Sequence, residues 1–322
     1  MHTGVASCPG NKWAGPAAGA LERVRDRLES LSLSDERLAR YPALSAGKLL
    51  RAGLVVLSGF CYAGSVDDLV AVGTAVELMH AASLLHDDLL DGAQYRRGCP
   101  TMAVSRGGRS AMLMGDYLFA RAFQTLSTLA NLRLMQGFCT VVTTMCEAEL
   151  GQMQSEGTLD LTEDQYYQQI AGKTAYFMAE CCRSGSRLSG APPRGVEALG
   201  EYGYNLGMAY QILDDLNDYT GDADRLGKPV GSDLKGGIAT LPLILARKQE
   251  PAAGWEDRWR RRDNPQALDE MIQAVREYGV TPTLQRVRRY TATAVAALTT
   301  IWPQPARRAL EALPNQIRGI HQ

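Results

Sequence analysis

Two short acidic clusters in the 322-residue sequence carry side chains and spacings that could do chemistry. The first reads Leu84-Leu85-His86-Asp87-Asp88-Leu89-Leu90-Asp91, and the second Gln211-Ile212-Leu213-Asp214-Asp215-Leu216-Asn217-Asp218. In each, the outer aspartates stand four residues apart, which sets them on one helical face. Apolar residues surround both clusters, so the carboxylates would repel one another and be costly to desolvate without cations or donors. Magnesium suits such a pair of helices, because it takes a few carboxylates, several waters and substrate phosphate oxygens. The expected ligand is therefore a diphosphate, with Asp87, Asp88, Asp91, Asp214 and Asp218 as metal ligands and Asp215 beside them. A single cluster of this kind reads more readily as a helix cap or a solvated acidic face; two copies in apolar helices reverse that reading.

The elements that hold these clusters read as helices. Leu69, Val72, Val76 and Met79 recur at three and four spacing, and strand alternation is scarce. Gly157, Pro192-Pro193, Gly221, Pro251 and Pro265 cut the chain into segments of helical length. The expected fold is all-α, a single-domain helix bundle over residues 21–322 with a central active-site cavity, preceded by a mobile Gly/Ala/Pro-rich tail at 1–20. The charged stretch 246–270, with Trp255 and Trp259, is expected to be a surface excursion.

Composition excludes several other classes. A formal net charge of -1 removes the broad basic field that nucleic-acid binding uses. Seven cysteines form no Cys-x-x-Cys pair, so neither a disulfide framework nor a zinc site is expected, and a reducing cytoplasm fits. No apolar run approaches the roughly 20 residues that span a bilayer, and no signal pattern opens the chain.

From Gly47 to Leu245 the sequence resembles the trans-isoprenyl diphosphate synthase (polyprenyl synthetase) family. Asp87-Asp88-x-x-Asp91 followed by Arg96-Arg97-Gly98 is similar to that family's first aspartate-rich region, and Asp214-Asp215-x-x-Asp218 followed by Gly227-Lys228 and Gly231-Ser232-Asp233 to its second. The resemblance implies an isoprenoid-synthase-type helix bundle, usually a homodimer, with three magnesium ions between the motifs. It places Lys48, Arg51, His80 and Arg97 at isopentenyl diphosphate, and Arg96, Lys173, Thr174, Gln211 and Lys228 at the allylic diphosphate. Arginine forks and lysine point charges suit phosphate oxygens. His86, beside Asp87, reads as a packing residue, because magnesium prefers oxygen.

Two departures mark this chain. The family's Gly-Gly-Lys-Arg-x-Arg-Pro is replaced by Ala46-Gly47-Lys48-Leu49-Leu50-Arg51-Ala52, and Ile238 stands where many members have a lysine. The implied reaction is ionisation of an allylic diphosphate, attack on the cation by isopentenyl diphosphate and loss of a proton. Small Ala82 and Ser83, where an aromatic residue would close the pocket, imply a product of geranylgeranyl length or longer. Its tail would run past Ser83, Ala82, Met79 and Val76, with Met135, Phe138, Val142 and Met145 as floor candidates. A class I terpene cyclase, a subunit of a heteromeric synthase and a metal-dependent phosphohydrolase are the competing readings.

Overall fold

The computed structural model describes residues 12–34, 47–96, 98–221, 230–251 and 254–320. They are almost entirely helical, as the periodicity indicates. The chain divides into two compact units, one of Met1–Gln136, Cys181–Leu199 and Leu298–Leu313, the other of Gly137–Glu180, Gly200–Ala297 and Pro314–Gln322.

The first unit begins with a 3-10 turn, Lys12–Ala17, followed by α1 (Ala18–Ser34). Ala17, Ala20 and Leu21 are buried, so the end of the expected tail is packed; residues 1–11 of it lie outside the described residues. Next come α2 (Leu50–Phe60) and α3 (Val66–Leu90), the latter started by Ser65, whose hydroxyl accepts from Asp68 N, and by Asp67 and Asp68 in the first turn. Both helices are buried along most of their length, each large apolar side chain contributing about 1.5–3 kcal/mol on leaving water. By length and composition α3 could cross a membrane, which corrects the expectation that no apolar run reaches that size; 78% of its apolar window lies inside the protein. A core helix passes the same test. The unit continues through a two-residue hairpin, β1 (Tyr95–Arg96) with antiparallel β2 (Cys99–Pro100), then α4 (Met102–Arg106) and α5 (Gly108–Ser127).

Residues of α6 (Leu132–Ser155), α8 (Tyr176–Leu188) and α9 (Pro193–Thr220) fall in both units. The second unit holds most of α6 and α9, with α7 (Glu163–Ile170), a π-helical segment (Ala171–Ala175), α10 (Ser232–Lys235), α11 (Leu241–Gln249), α12 (Trp255–Arg260), α13 (Pro265–Tyr278) and α14 (Val280–Ala297). A final helix, α15 (Pro305–Ile320), crosses the division again. Pro265 opens α13 behind the Asn264 cap, a place where a missing N–H costs nothing. The stretch 246–270 is not the excursion its charge suggests. Trp255 and Trp259 are both 4% exposed, and their indole N–H groups donate to Glu250 O and Gly157 O at 2.7 and 2.9 Å. The aromatic bodies, not the charges, decide where α12 goes.

Glu163 pins α7 to two later helices. Its carboxylate accepts from Lys248 of α11 at 2.7 Å, Arg286 of α14 at 2.9 Å and the Tyr167 hydroxyl at 2.7 Å. Burial alone would raise this carboxyl; the three donors outweigh it and bring it down to about 2. A carboxyl lowered from its ordinary 4.5 stabilises the fold fully above that value and loses the contribution as pH falls through about 2. Glu163→Gln is therefore expected to flatten the fall of melting temperature between about pH 4.5 and 2. Equal slopes for parent and variant would detach Glu163 from acid stability.

Candidate active site

In the first unit the last turns of α3 present the first aspartate cluster. Asp87 is half-buried, Asp91 is exposed at the helix end, and Asp88 is 4% exposed. The hairpin that follows turns at Gly98, whose φ of 76° is left-handed, and from its first strand Arg96 Nε donates to Asp88 Oδ1 at 2.7 Å. Burial raises the Asp88 carboxyl, and the Arg96 charge and hydrogen bond work against that rise. Asp88 and Arg96, assigned separately from sequence, thus form one part-buried pair. Arg97 lies outside the described residues. Thr101, which the sequence reading passed over, holds the hairpin from below by donating to Ala93 O at 2.7 Å.

Along the same helix, His80 is half-buried, Met79 and Ala82 are fully buried, and Ser83 is half-buried with its hydroxyl donating to His80 O. His86 turns away from the aspartate row. Its Nε2 lies 3.1 Å from Met112 O and 3.5 Å from Asp116, with its ring against Phe119, so it packs α3 onto α5 as expected of a non-ligand. Just before α2, Lys48 is exposed, and Arg51 in its first turn is buried.

In the second unit, the second cluster sits on α9 with Asp214 exposed and Asp215 and Asp218 buried. Asp215 is held on both oxygens: Tyr166 donates to Oδ2 at 2.6 Å and Gln211 to Oδ1 at 2.9 Å. Gln211 in turn accepts from Thr174 at 2.7 Å. Burial, then the Asp215 charge, raise Tyr166 well above its ordinary range, so its hydroxyl remains a donor. Asp218 accepts from Asp233 N at 3.0 Å, and its own carbonyl accepts from Gly231 N, which docks the Gly231-Ser232-Asp233 stretch onto the motif. Lys228 lies outside the described residues.

Lys173 and Thr174 project from the π-helical segment, a wider turn with one extra residue that is frequent at functional positions. Close backbone approach explains the glycines around it. A Cβ on Gly207 of α9 would meet Ala175 Cα at 2.6 Å, and one on Gly172 would meet Ala148 Cβ at 2.6 Å. Lys173 Nζ pairs with Glu149 Oε2 at 2.8 Å. Of the floor candidates, Met135 falls in the first unit and Phe138 and Val142 in the second, where Phe138 packs edge-on to Phe177 with ring centres 6.4 Å apart. Two surface cavities of about 810 and 830 Å³ in this unit, one beside Glu163 and Trp255 and the other beside Glu270 and Tyr278, contain none of the expected site residues.

Among the described residues no three His, Cys, Asp or Glu side chains converge as a ready-made metal cage. The donors nevertheless fit magnesium. They are hard oxygens in pairs one helical turn apart, the arrangement of an ion that keeps waters and takes phosphate oxygens as its remaining ligands.

A family profile described as polyprenyl synthetase matches residues 36–277. Octaprenyl diphosphate synthase of Escherichia coli (strain K12) is 31% identical over 306 residues, 94% of each chain. Heptaprenyl diphosphate synthase component 2 of Geobacillus stearothermophilus is 38% identical over 206 residues, which is 64% of this chain and 64% of that protein. Among solved structures, a decaprenyl diphosphate synthase from Rhodobacter capsulatus aligns with a TM-score of 0.87 at 31% identity, covering 98% of this chain and 100% of that one. A polyprenyl synthase from Caulobacter crescentus CB15, complexed with calcium and isoprenyl diphosphate, aligns with a TM-score of 0.87 at 30% identity over 99% of both chains. The fold and its aspartate-bearing helices define a trans-prenyltransferase. Within that class the chain belongs to the polyprenyl synthetase family, which uses isoprenyl diphosphate substrates and a divalent metal.

Tyr166 has no local signature, since it lies 49 residues from its partner Asp215. Tyr166→Phe removes a hydrogen bond to a buried carboxylate, for which a loss of about 1.5–3 kcal/mol in stability is expected. Turnover should fall about tenfold as Asp215 loses its orientation. Thermal melting and steady-state kinetics check both; parent-like values would make the contact incidental.

Proposed function

We propose that this enzyme extends an allylic diphosphate with isopentenyl diphosphate to an all-trans polyprenyl diphosphate of geranylgeranyl length or longer. In this reading both motifs serve one diphosphate within a single domain in the cytoplasm, with three magnesium ions. The observation that carries it is the four-residue spacing of the outer aspartates, Asp87 with Asp91 at the end of α3 and Asp214 with Asp218 on α9. Asp87, Asp88, Asp91, Asp214 and Asp218 would hold the metal. Bound magnesium supplies Lewis-acid stabilisation of the leaving diphosphate and orients it. Arg96, kept in place by Asp88, and Lys173, released from Glu149 to phosphate, meet the charge that develops as the allylic C–O bond breaks. The electron pair leaves with the diphosphate, the isopentenyl double bond attacks the cation, and the departing diphosphate takes the proton. Lys48, Arg51, His80 and Arg97 hold isopentenyl diphosphate, while Thr174, Gln211 and Lys228 complete the allylic site. Buried Met79 and Ala82 keep water from the cation.

Two features support a homodimer. Met112 and Leu113 of α5 are 46% and 63% exposed, and Arg109 and Asp116 flank them on the same exposed stripe. Antiparallel pairing of two copies of this helix sets Arg109 against Asp116 on either side of an apolar centre. The names of relatives called component 2 favour a second reading, in which a different subunit is required. Light scattering and assay of the purified chain with magnesium and both substrates separate the two: a dimer active alone supports the first, an inert chain rescued by another subunit the second.

Asp87→Ala and Asp214→Ala should abolish turnover while leaving the fold, because each relieves carboxylate repulsion but removes a ligand. Residual activity within about tenfold of the parent, or ~1.4 kcal/mol of barrier, would argue against the assignment. The cyclase alternative requires hydrocarbon from geranylgeranyl diphosphate alone. For length, Ala82→Phe fills the expected tail path and should shorten the product. An active variant with an unchanged product distribution would place the path elsewhere.

A further inference from the structure

The start of α2 lacks ordinary helix chemistry. Its cap residue, Leu49, is left-handed with φ 52° and ψ 39°, and no side chain of its own segment caps the turn. Leucine adopts this region only where the surroundings hold it there, and Leu49 is 2% exposed, its side chain anchored in the core. The first intrahelical bond is Gly53 N to Leu49 O, so the N–H of Ala52 has no partner within the helix. That donor goes instead to Glu77 Oε1 of α3 at 2.9 Å. Glu77 is 7% exposed and is the one carboxylate between Asp68 and Asp87, in a helix otherwise apolar there except for Thr74, His80, Ser83 and His86. An acidic side chain is costly to keep in such a place and suits the positive end of a helix.

Its position ties it to the site. Glu77, His80, Leu84, Asp87, Asp88 and Asp91 recur at three and four spacing, so Glu77 opens the side of α3 that leads to the aspartates. The helix it caps begins with Arg51 in its first turn, two residues after Leu49 and three after Lys48. The departure from the family pattern noted in the sequence acquires a role as well. A proline at position 52 would have no N–H to give, whereas Ala52 has one and gives it to Glu77.

We infer that Glu77 is a positioning residue for the isopentenyl diphosphate site: by capping α2 through Ala52 N–H, it sets the direction in which Lys48 and Arg51 meet that diphosphate. The inference rests on the reading that Lys48 and Arg51 bind this substrate. Steady-state kinetics of the full chain with magnesium, each substrate titrated separately, tests it alongside thermal melting. Glu77→Leu should raise the isopentenyl KM about tenfold, with kcat and the allylic KM within about twofold of the parent. Glu77→Gln keeps an acceptor oxygen and should restore most of the loss. Should Glu77→Leu fail to fold, Ala52→Pro removes the same bond from the other side, in a first turn that tolerates proline, and should also raise the isopentenyl KM selectively. An unchanged isopentenyl KM in Ala52→Pro and Glu77→Leu, or equal loss for both substrates, overturns the inference. If Lys48→Ala raises the isopentenyl KM while those variants do not, only the role of Glu77 falls. If Lys48→Ala leaves that KM unchanged, the substrate assignment falls and the inference with it.

Discussion

A carboxylate set among leucines must find a donor or a cation, and much of this structure follows from how its aspartates meet that requirement. The inner member of each cluster is satisfied by the protein: Asp88 by a guanidinium, Asp215 by a phenol and an amide. Asp218 receives a backbone N–H from a short helix that follows the motif. Asp91 and Asp214 are exposed, and Asp87 is half-buried. The exposed carboxylates lie where a hydrated divalent ion can approach without stripping every water.

The second unit applies the same logic at a distance from the motif. Glu163 gathers Lys248, Arg286 and Tyr167, and so ties α7 to α11 and α14. Because α7 runs directly into the π-helical segment, that tie also limits where Lys173 and Thr174 can go. The Trp259 indole on Gly157 O does comparable work for the turn after α6. Packing, ion pairs and caps therefore converge on orienting a few polar side chains.

The helical fold was legible in the sequence because its signal is local: three-and-four periodicity and Gly or Pro at the breaks. The motifs were legible for the same reason, since four-residue spacing translates directly into one helical face. Tyr166 and Glu77 were not, because their meaning lies in contacts 49 and 25 residues away that leave no trace in neighbouring residues. Trp255 and Trp259 misled in the opposite sense. Their charged surroundings suggested exposure, yet two large indoles outweighed several solvated arginines. The apolar length of α3 was underestimated because the eye stops at Glu77, His80 and the aspartates, which break the run without ending the helix.

The π-helical segment gives the chain a fixed phase. One residue beyond the ordinary helical repeat turns everything after it by about 100° relative to a continuous α-helix. Lys173 and Thr174 lie inside that offset, and Phe177, which meets Phe138, lies just after it. Point substitutions leave the count of residues between Thr162 and Phe177 intact. A single-codon deletion there would rotate Phe177 off its partner and Lys173 off Glu149 together, so this stretch of the gene should vary in letters while holding its length.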